Sequence, residues 1–290
     1  MECVSSGEGP TVVALHGGMG GVDQSLLLAE AALARPGFRV VALSRPGYLG
    51  TKLELGRSPQ QQADLIAATL DALDLAQAAV IAVSAGGPSA LQFALRHPQR
   101  CWGVVLVSCC SGHMATPPEV ARRLPLMLLM ARLPLLPALL AWQAARQPEK
   151  AAARSIADPA VRTRTLAHPQ AGPLFRVLLA SSMDRLAQRL PGTLNDIAQF
   201  AAIDRYPLAQ ITAPLLVIHG SADRVVPFAH AARVAAEVPR AELMRIEAGE
   251  HVCLFTALDA ARERLGVFLA AHAPPARATA SPAPRHTTAS

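Results

Sequence analysis

Lysine is almost missing from this 290-residue chain. Lys52 and Lys150 are the only two, so nearly all of the 27 basic residues are arginine. Aromatic residues are scarce at 4%, and charged residues reach only 17%. A nucleic-acid-binding surface concentrates basic charge and interleaves aromatics for base stacking. Here the arginines are spread along the chain and the one tight pair is Arg122-Arg123, so the formal charge of +6 reads as a solvated surface and no nucleic-acid partner is expected. Cysteine patterning is missing as well. Cys3, Cys101, Cys109, Cys110 and Cys253 form an odd set without CxxC or zinc spacing, which excludes a disulfide framework and leaves no metal site to expect. The first ten residues, MECVSSGEGP, carry neither a basic region nor an apolar stretch, so no secretory leader is read there and a cytoplasmic protein is expected.

A clean membrane-spanning run is also lacking. Leu124 to Trp142 is long enough to span a bilayer, but Arg132 sits at its middle and Pro125, Pro134 and Pro137 interrupt it. It reads as two short amphipathic helices lining an apolar pocket, with no integral span; a peripheral membrane contact is the alternative.

What the chain does have is 51% hydrophobic residues, almost all aliphatic, in an alternating pattern. Short β-branched runs at Thr11–Leu15, Phe38–Leu43, Ala79–Val83, Gly103–Cys109, Pro214–His219 and Glu242–Ile246 read as strands. Between and after them, Ser25–Ala34, Pro59–Leu75, Pro88–Arg96, Phe228–Glu237 and Val252–Ala271 read as helices. Strands alternating with helices predict an α/β fold, a mostly parallel sheet covered by helices on both faces. The alternation stops between about Met114 and Gln210, a helical, proline-punctuated stretch. Residues 1–113 and 211–272 are therefore expected to form the core, 114–210 an inserted helical cap, and 273–290, rich in Pro, Ala, Ser and Thr, a disordered tail.

Three loops at the carboxyl ends of strands carry the residues of chemical interest. The strand Ala79–Val83 runs into Ser84-Ala85-Gly86 and a helix, matching the nucleophile elbow G-x-S-x-G except that Ala82 replaces the first glycine. A serine hydroxyl needs a base to take its proton, and the base needs an acid to fix its tautomer. Asp223 follows PLLVIH in GSADRVVP, and His251 follows the last strand in EAGEH, giving the order Ser, Asp, His that this architecture uses. Each residue alone could close a turn or cap a helix; together, each after a strand, they read as a catalytic triad. An oxyanion hole would use the Ala85 amide and one from His16-Gly17-Gly18-Met19, with Gly18 the first choice and Met19 the second. The glycines there match neither the phosphate loop nor the dinucleotide fingerprint.

VVALHGG, LSRPGYLGT, VSAGGPSALQFALRHP, LLVIHGSADRVVP and Gly249–His251 together resemble the α/β-hydrolase-fold family, in its capped form that includes esterases, C–C bond hydrolases and proline iminopeptidases. The resemblance implies a Ser-His-Asp triad, an oxyanion hole, no cofactor and a small-molecule substrate. It also implies two antiparallel strands before the HG motif, for which only Met1–Ser6 is available, so the first is expected to be missing and the second a stub. Either the sheet edge is trimmed or the chain start is placed too late; a trimmed edge would lie open to a partner chain, and a homo-oligomer is one expectation. Hydrolysis of an ester-like carbonyl substrate with an apolar portion is the leading reading. Proline iminopeptidase-like action and a non-catalytic ligand-binding role are the alternatives, while Ser84 at the elbow excludes dehalogenation, which uses Asp there.

Overall fold

A computed structural model describes residues 1–33, 37–116, 118–133 and 135–275. Seven strands form one sheet: β1 (Cys3–Ser6), β2 (Thr11–Leu15), β3 (Arg39–Leu43), β4 (Ala78–Val83), β5 (Cys101–Val107), β6 (Leu215–Gly220) and β7 (Ala241–Ile246). Their order is β1-β3-β2-β4-β5-β6-β7; β1 is antiparallel to β3 and every other pairing is parallel. The stub expected within Met1–Ser6 is β1, an exposed edge strand.

Burial on both faces explains why the inner strands read as continuous apolar runs. Val80 and Ala82 of β4, Val104 and Leu106 of β5, and Leu215 and Val217 of β6 join the core on one face. Their alternates Ala79, Ile81, Val105, Val107, Leu216 and Ile218 join the core on the other. The helices of the α/β core are α1 (Val22–Ala32), α2 (Pro59–Ala72) and α3 (Gly87–Arg96) before the insertion. The insertion forms α4 (Pro118–Met130), α5 (Leu135–Arg146), α6 (Pro148–Ala152), α7 (Pro159–Ala167), α8 (Ala171–Ser181) and α9 (Leu186–Ala201), and the core resumes with α10 (Ala229–Glu237), α11 (Cys253–Thr256) and α12 (Leu258–His272). Ser58 starts α2 with a full capping box to Gln61 and Pro59 in its first turn.

Several boundaries differ from the sequence reading. The strand expected at Gly103–Cys109 begins at Cys101 and ends at Val107, because Ser108 turns into the left-handed region at φ 48°. The single last helix is two, broken at Ala257. Of the proposed tail, 276–290 lie outside the described residues, as does Ala34 at the end of the first expected helix. Leu124–Trp142 does divide between two helices, α4 and α5. Their packing differs from expectation: Met127, Met130, Leu136 and Leu140 turn inward to Leu186 and Leu190 of α9, while Leu126, Leu129, Leu133, Leu139 and Trp142 face solvent.

Helix α9 ties the insertion to the core. Pro191 lacks an N–H, and its neighbours abandon the helical ladder to pair with the loop after β3. The Gly192 N–H donates to the Gly47 carbonyl at 2.8 Å, and the Gln188 carbonyl accepts from Leu49 N–H at 2.9 Å. This approach leaves no room at Gly192, where a Cβ would overlap the Tyr48 ring. Gly192→Ala should therefore cost about 1–3 kcal/mol in urea unfolding through overpacking; a change below about 0.5 kcal/mol, the size of an ordinary surface substitution, would contradict this packing.

Candidate active site

Strand β4 ends in a single 3₁₀ turn, Ser84–Gly86, that leads straight into α3. Ser84 adopts φ 54°, a conformation non-glycine residues rarely take and one associated with functional sites. The Ser84 carbonyl accepts from Cys110 N–H at 3.1 Å, which anchors the turn. Glycine is required at 86, where a Cβ would come within 2.9 Å of the His16 carbonyl oxygen. At the first motif position, by contrast, Ala82 is fully buried in the core with its methyl accommodated, so the departure from glycine leaves the elbow intact.

Asp223 lies on the loop after β6. Its Oδ1 accepts from the N–H groups of Val225 and Val226 at 2.8 and 2.9 Å, a local turn that fixes the carboxylate plane. Oδ2 faces His251 Nδ1 at 2.8 Å, and His251 Nε2 lies 3.0 Å from Ser84 Oγ. The carboxylate accepts a hydrogen bond from Nδ1–H, so the Nε2 lone pair points at the serine hydroxyl. The loops bearing Asp223 and His251 are clasped together: Ser221 N–H donates to the Ile246 carbonyl and Ala222 N–H to the Gly249 carbonyl, both at 2.9 Å. Ser84, Asp223 and His251, drawn from three separate strand ends, thus form one hydrogen-bonded chain.

Burial acts to raise the Asp223 carboxyl, but hydrogen bonds from His219 and His251, the His251 charge and the Val226 N–H hold it well below the usual carboxylate range. His219 is a contributor that the sequence reading missed. Fully buried, it donates from Nε2 to the Val226 carbonyl at 2.9 Å and lies 3.3 Å from Asp223 Oδ2. Its position at the end of β6, four residues before Asp223, was the available signal.

A second missed group governs the loop after β2. Arg45 is buried against Asp196 of α9 in a two-pronged ion pair of 2.9 and 2.7 Å, and Tyr48 donates to the same carboxylate at 2.6 Å. Burial opposes the Arg45 charge, but the Asp196 carboxylate more than reverses this and lifts its pKa above the ordinary arginine value. The Arg45 guanidinium also donates to the His16 carbonyl at 3.1 Å and to the Gly17 carbonyl at 3.2 Å. His16 Nδ1 reaches the same Gly17 carbonyl at 2.6 Å, with Nε2 accepting from Arg45 N–H at 3.0 Å. Burial, then the Arg45 charge, holds the His16 pKa well below the usual imidazole value, consistent with this single-proton arrangement.

Orientation of the next amide follows from peptide geometry. C=O and N–H point in opposite directions across a trans peptide. With the Gly17 carbonyl held on Arg45 and His16, the Gly18 N–H points the other way, and Gly18 lines the same pocket as Ser84. The Met19 N–H instead donates to Thr193 Oγ1 of α9 at 3.1 Å, so it is not available to a ligand. Of the two expected donors in this loop, Gly18 is therefore the one the geometry leaves open. Ala85, directly after Ser84, sits in the first turn of its helix, where backbone N–H groups have no helical partner.

The pocket over Ser84 has a volume of about 220 Å³. Its walls are Leu27 and Leu28 of α1, Phe175, Leu178 and Leu179 of α8, and Leu254 and Phe255 of α11. Among the described residues no side chain of α4 or α5 lines it, which corrects the expectation for Leu124–Trp142. A second cavity of about 300 Å³ shares Ser155, Leu179 and Ser182 with it and is bordered by Arg123, Lys150 and Arg154.

A serine at positive φ on a strand-to-helix turn, a histidine on its hydroxyl and a carboxylate behind the histidine thus meet at the carboxyl edge of the parallel sheet. The family model of the alpha/beta hydrolase fold matches residues 10–258. The chain belongs to the α/β-hydrolase-fold family. It is 26% identical over 261 residues to the uncharacterized hydrolase YcgS of Bacillus subtilis, covering 87% of this chain and 88% of that protein. It is 27% identical over 254 residues to a 2-hydroxy-6-oxononadienedioate/2-hydroxy-6-oxononatrienedioate hydrolase of Cupriavidus pinatubonensis, covering 84% and 81% of the two chains. Among solved structures, an alpha/beta hydrolase fold protein from Nakamurella multipartita superposes with a TM-score of 0.81 at 33% identity over 93% of this chain and 95% of that one. Among the described residues no helix is long and apolar enough to cross a membrane.

The depressed Asp223 carboxyl carries a stability consequence. Its contribution is fully present above the ordinary value of 3.8 and is lost as pH falls below that toward the folded-state value. The stability gap between wild type and Asp223→Asn should be constant from neutral pH down to about pH 5 and then shrink steadily with acidification, read from urea midpoints. A gap that stays constant through pH 3 would contradict the assigned hydrogen bonds.

Proposed function

We propose that this protein hydrolyses a small ester-like carbonyl substrate through an acyl-enzyme formed on Ser84. The observation that carries the reading is the pair of contacts at 3.0 and 2.8 Å linking Ser84 Oγ, His251 and Asp223 beneath an apolar pocket. Ser84 Oγ attacks the carbonyl carbon as its proton passes to His251 Nε2, and Asp223 stabilises the imidazolium. The tetrahedral oxyanion accepts hydrogen bonds from the Gly18 and Ala85 N–H groups. His251 then gives its proton to the leaving group, and a water deprotonated by the same nitrogen releases the acyl group and regenerates Ser84.

The pocket favours this over the alternatives. An aminopeptidase acting on N-terminal proline needs a carboxylate to hold the free amine, and the described lining of the Ser84 pocket holds no Asp or Glu. A purely binding role leaves the strain at Ser84 and the carboxylate-backed histidine without a purpose. The relatives named as hydrolases are consistent with the class of reaction.

The space over Ser84 is below the roughly 300 Å³ at which sites for drug-sized ligands begin. Aryl acetates and butyrates should therefore be turned over with a higher kcat/KM than the matching long-chain esters, and Ser84→Ala should lower kcat about 10⁴-fold or more. Undiminished turnover by folded Ser84→Ala would overturn the assignment.

Arg45 tests the orientation of the oxyanion donor separately. Arg45→Lys keeps the charge beside Asp196 but cannot donate in parallel to His16, Gly17 and the carboxylate. We expect kcat to fall about ten- to a hundredfold with KM nearly unchanged, because the lost alignment matters only in the transition state. A rise in KM alone would show that Arg45 acts on substrate binding instead.

A further inference from the structure

The Leu-rich pair α4 and α5 exposes apolar side chains that nothing in the described fold covers. Leu126 is 58% exposed, Leu129 56%, Leu133 49%, Leu139 56% and Trp142 53%. They are not scattered. Arg122, Leu126, Leu129 and Leu133 follow at helical spacing along α4 and its exit, while Met127 and Met130 take the inward face. Leu139, Trp142, Gln143 and Arg146 repeat the pattern on α5, with Leu136 and Leu140 inward. Each of the two short helices therefore turns apolar side chains outward, and Leu128 of α4, 40% exposed, adds to them on another side of that helix. A soluble monomer rarely leaves such a face bare without a use for it.

Charge identifies the occupant. Arg122, Arg123, Arg132 and Arg146 are all exposed in this segment, and no Asp or Glu occurs between Val120 and Pro148. Arg146 also stacks over the Trp142 ring at 4.2 Å, joining a cation to the aromatic that would sit at an interface. Leucines and a tryptophan edged by arginines match the headgroup and acyl boundary of an anionic bilayer. A second copy of the same face fits poorly, since a two-fold contact would set these arginines against their own symmetry mates.

We propose that the α4–α5 face docks peripherally on an anionic phospholipid surface. Neither helix spans: each is too short, and the site cavity remains outside the bilayer. The cavity of about 300 Å³ that shares Ser155, Leu179 and Ser182 with the Ser84 pocket is bordered by Arg123 of α4 and by Leu140 and Gln143 of α5. Docking therefore brings the approach to Ser84 alongside the lipid surface, where apolar substrates collect. The docking itself does not depend on the hydrolytic reading.

The test is flotation of the full chain with vesicles of phosphatidylcholine alone and of equal phosphatidylcholine and phosphatidylglycerol, with tryptophan emission recorded in parallel. Trp142 is exposed and Trp102 is buried, so a vesicle-induced blue shift reports on α5. Wild type should float with the anionic vesicles, shift to the blue and release as salt is raised. The shift should be absent in Trp142→Phe. Arg122→Gln with Arg132→Gln should weaken partitioning roughly tenfold or more, and Leu129→Ser with Leu133→Ser should abolish it. Far-UV circular dichroism and urea midpoints unchanged from wild type show that these variants are folded. Failure to float, equal binding to neutral and anionic vesicles, or a blue shift that follows protein concentration together with sedimentation as a dimer would each overturn the proposal.

Discussion

The Arg45 guanidinium is the contact on which the geometry around Ser84 depends. Buried between the sheet and α9, it meets the Asp196 carboxylate and the carbonyls of His16 and Gly17. A buried charge without a partner is costly, and removing one member of such a pair typically costs about 3–5 kcal/mol. The pairing therefore holds the loop after β2 in one arrangement. In that arrangement the Gly18 N–H points away from the held Gly17 carbonyl, and the Met19 N–H stays on Thr193. One ion pair thus sets both the attachment of the inserted helices and the orientation of a backbone donor beside the serine.

The insertion is held at more than that point. Arg189 of α9, fully buried, reaches the Asp23 carboxylate of α1 at 2.7 Å, and Phe175 of α8 packs into the core over the sheet. These anchors sit on α8 and α9, the later part of the insertion. The same part builds the pocket wall, through Phe175, Leu178 and Leu179, and the anchor on Arg45. The earlier part, α4 and α5, contributes neither; it packs one side on α9 and leaves leucines exposed on the other. The pocket wall and the exposed leucines therefore belong to different halves of one insertion.

Much of the core was legible because parallel strands buried on both faces need unbroken apolar runs, and these stand out at Thr11–Leu15 and Leu215–Gly220. The three residues of the hydrogen-bonded chain were legible for a related reason: each follows such a run directly, on a loop at the carboxyl edge of the sheet. Helical periodicity in Leu124–Trp142 showed that apolar residues share faces. It could not say which face would find a partner, because the segment is apolar on nearly every side. Arg45 and Asp196 are 151 residues apart, with no local pattern relating them. Only packing of α9 onto the loop after β3, through Pro191 and Gly192, brings them together.

The most direct test of the central claim is covalent labelling with a fluorophosphonate, located by mass spectrometry. One adduct per chain is expected, on the peptide containing Ser84, with slower labelling in Asp223→Asn because His251 is then no longer held with its Nε2 lone pair on the serine. An adduct on another residue, or equal labelling of folded Ser84→Ala, would contradict it.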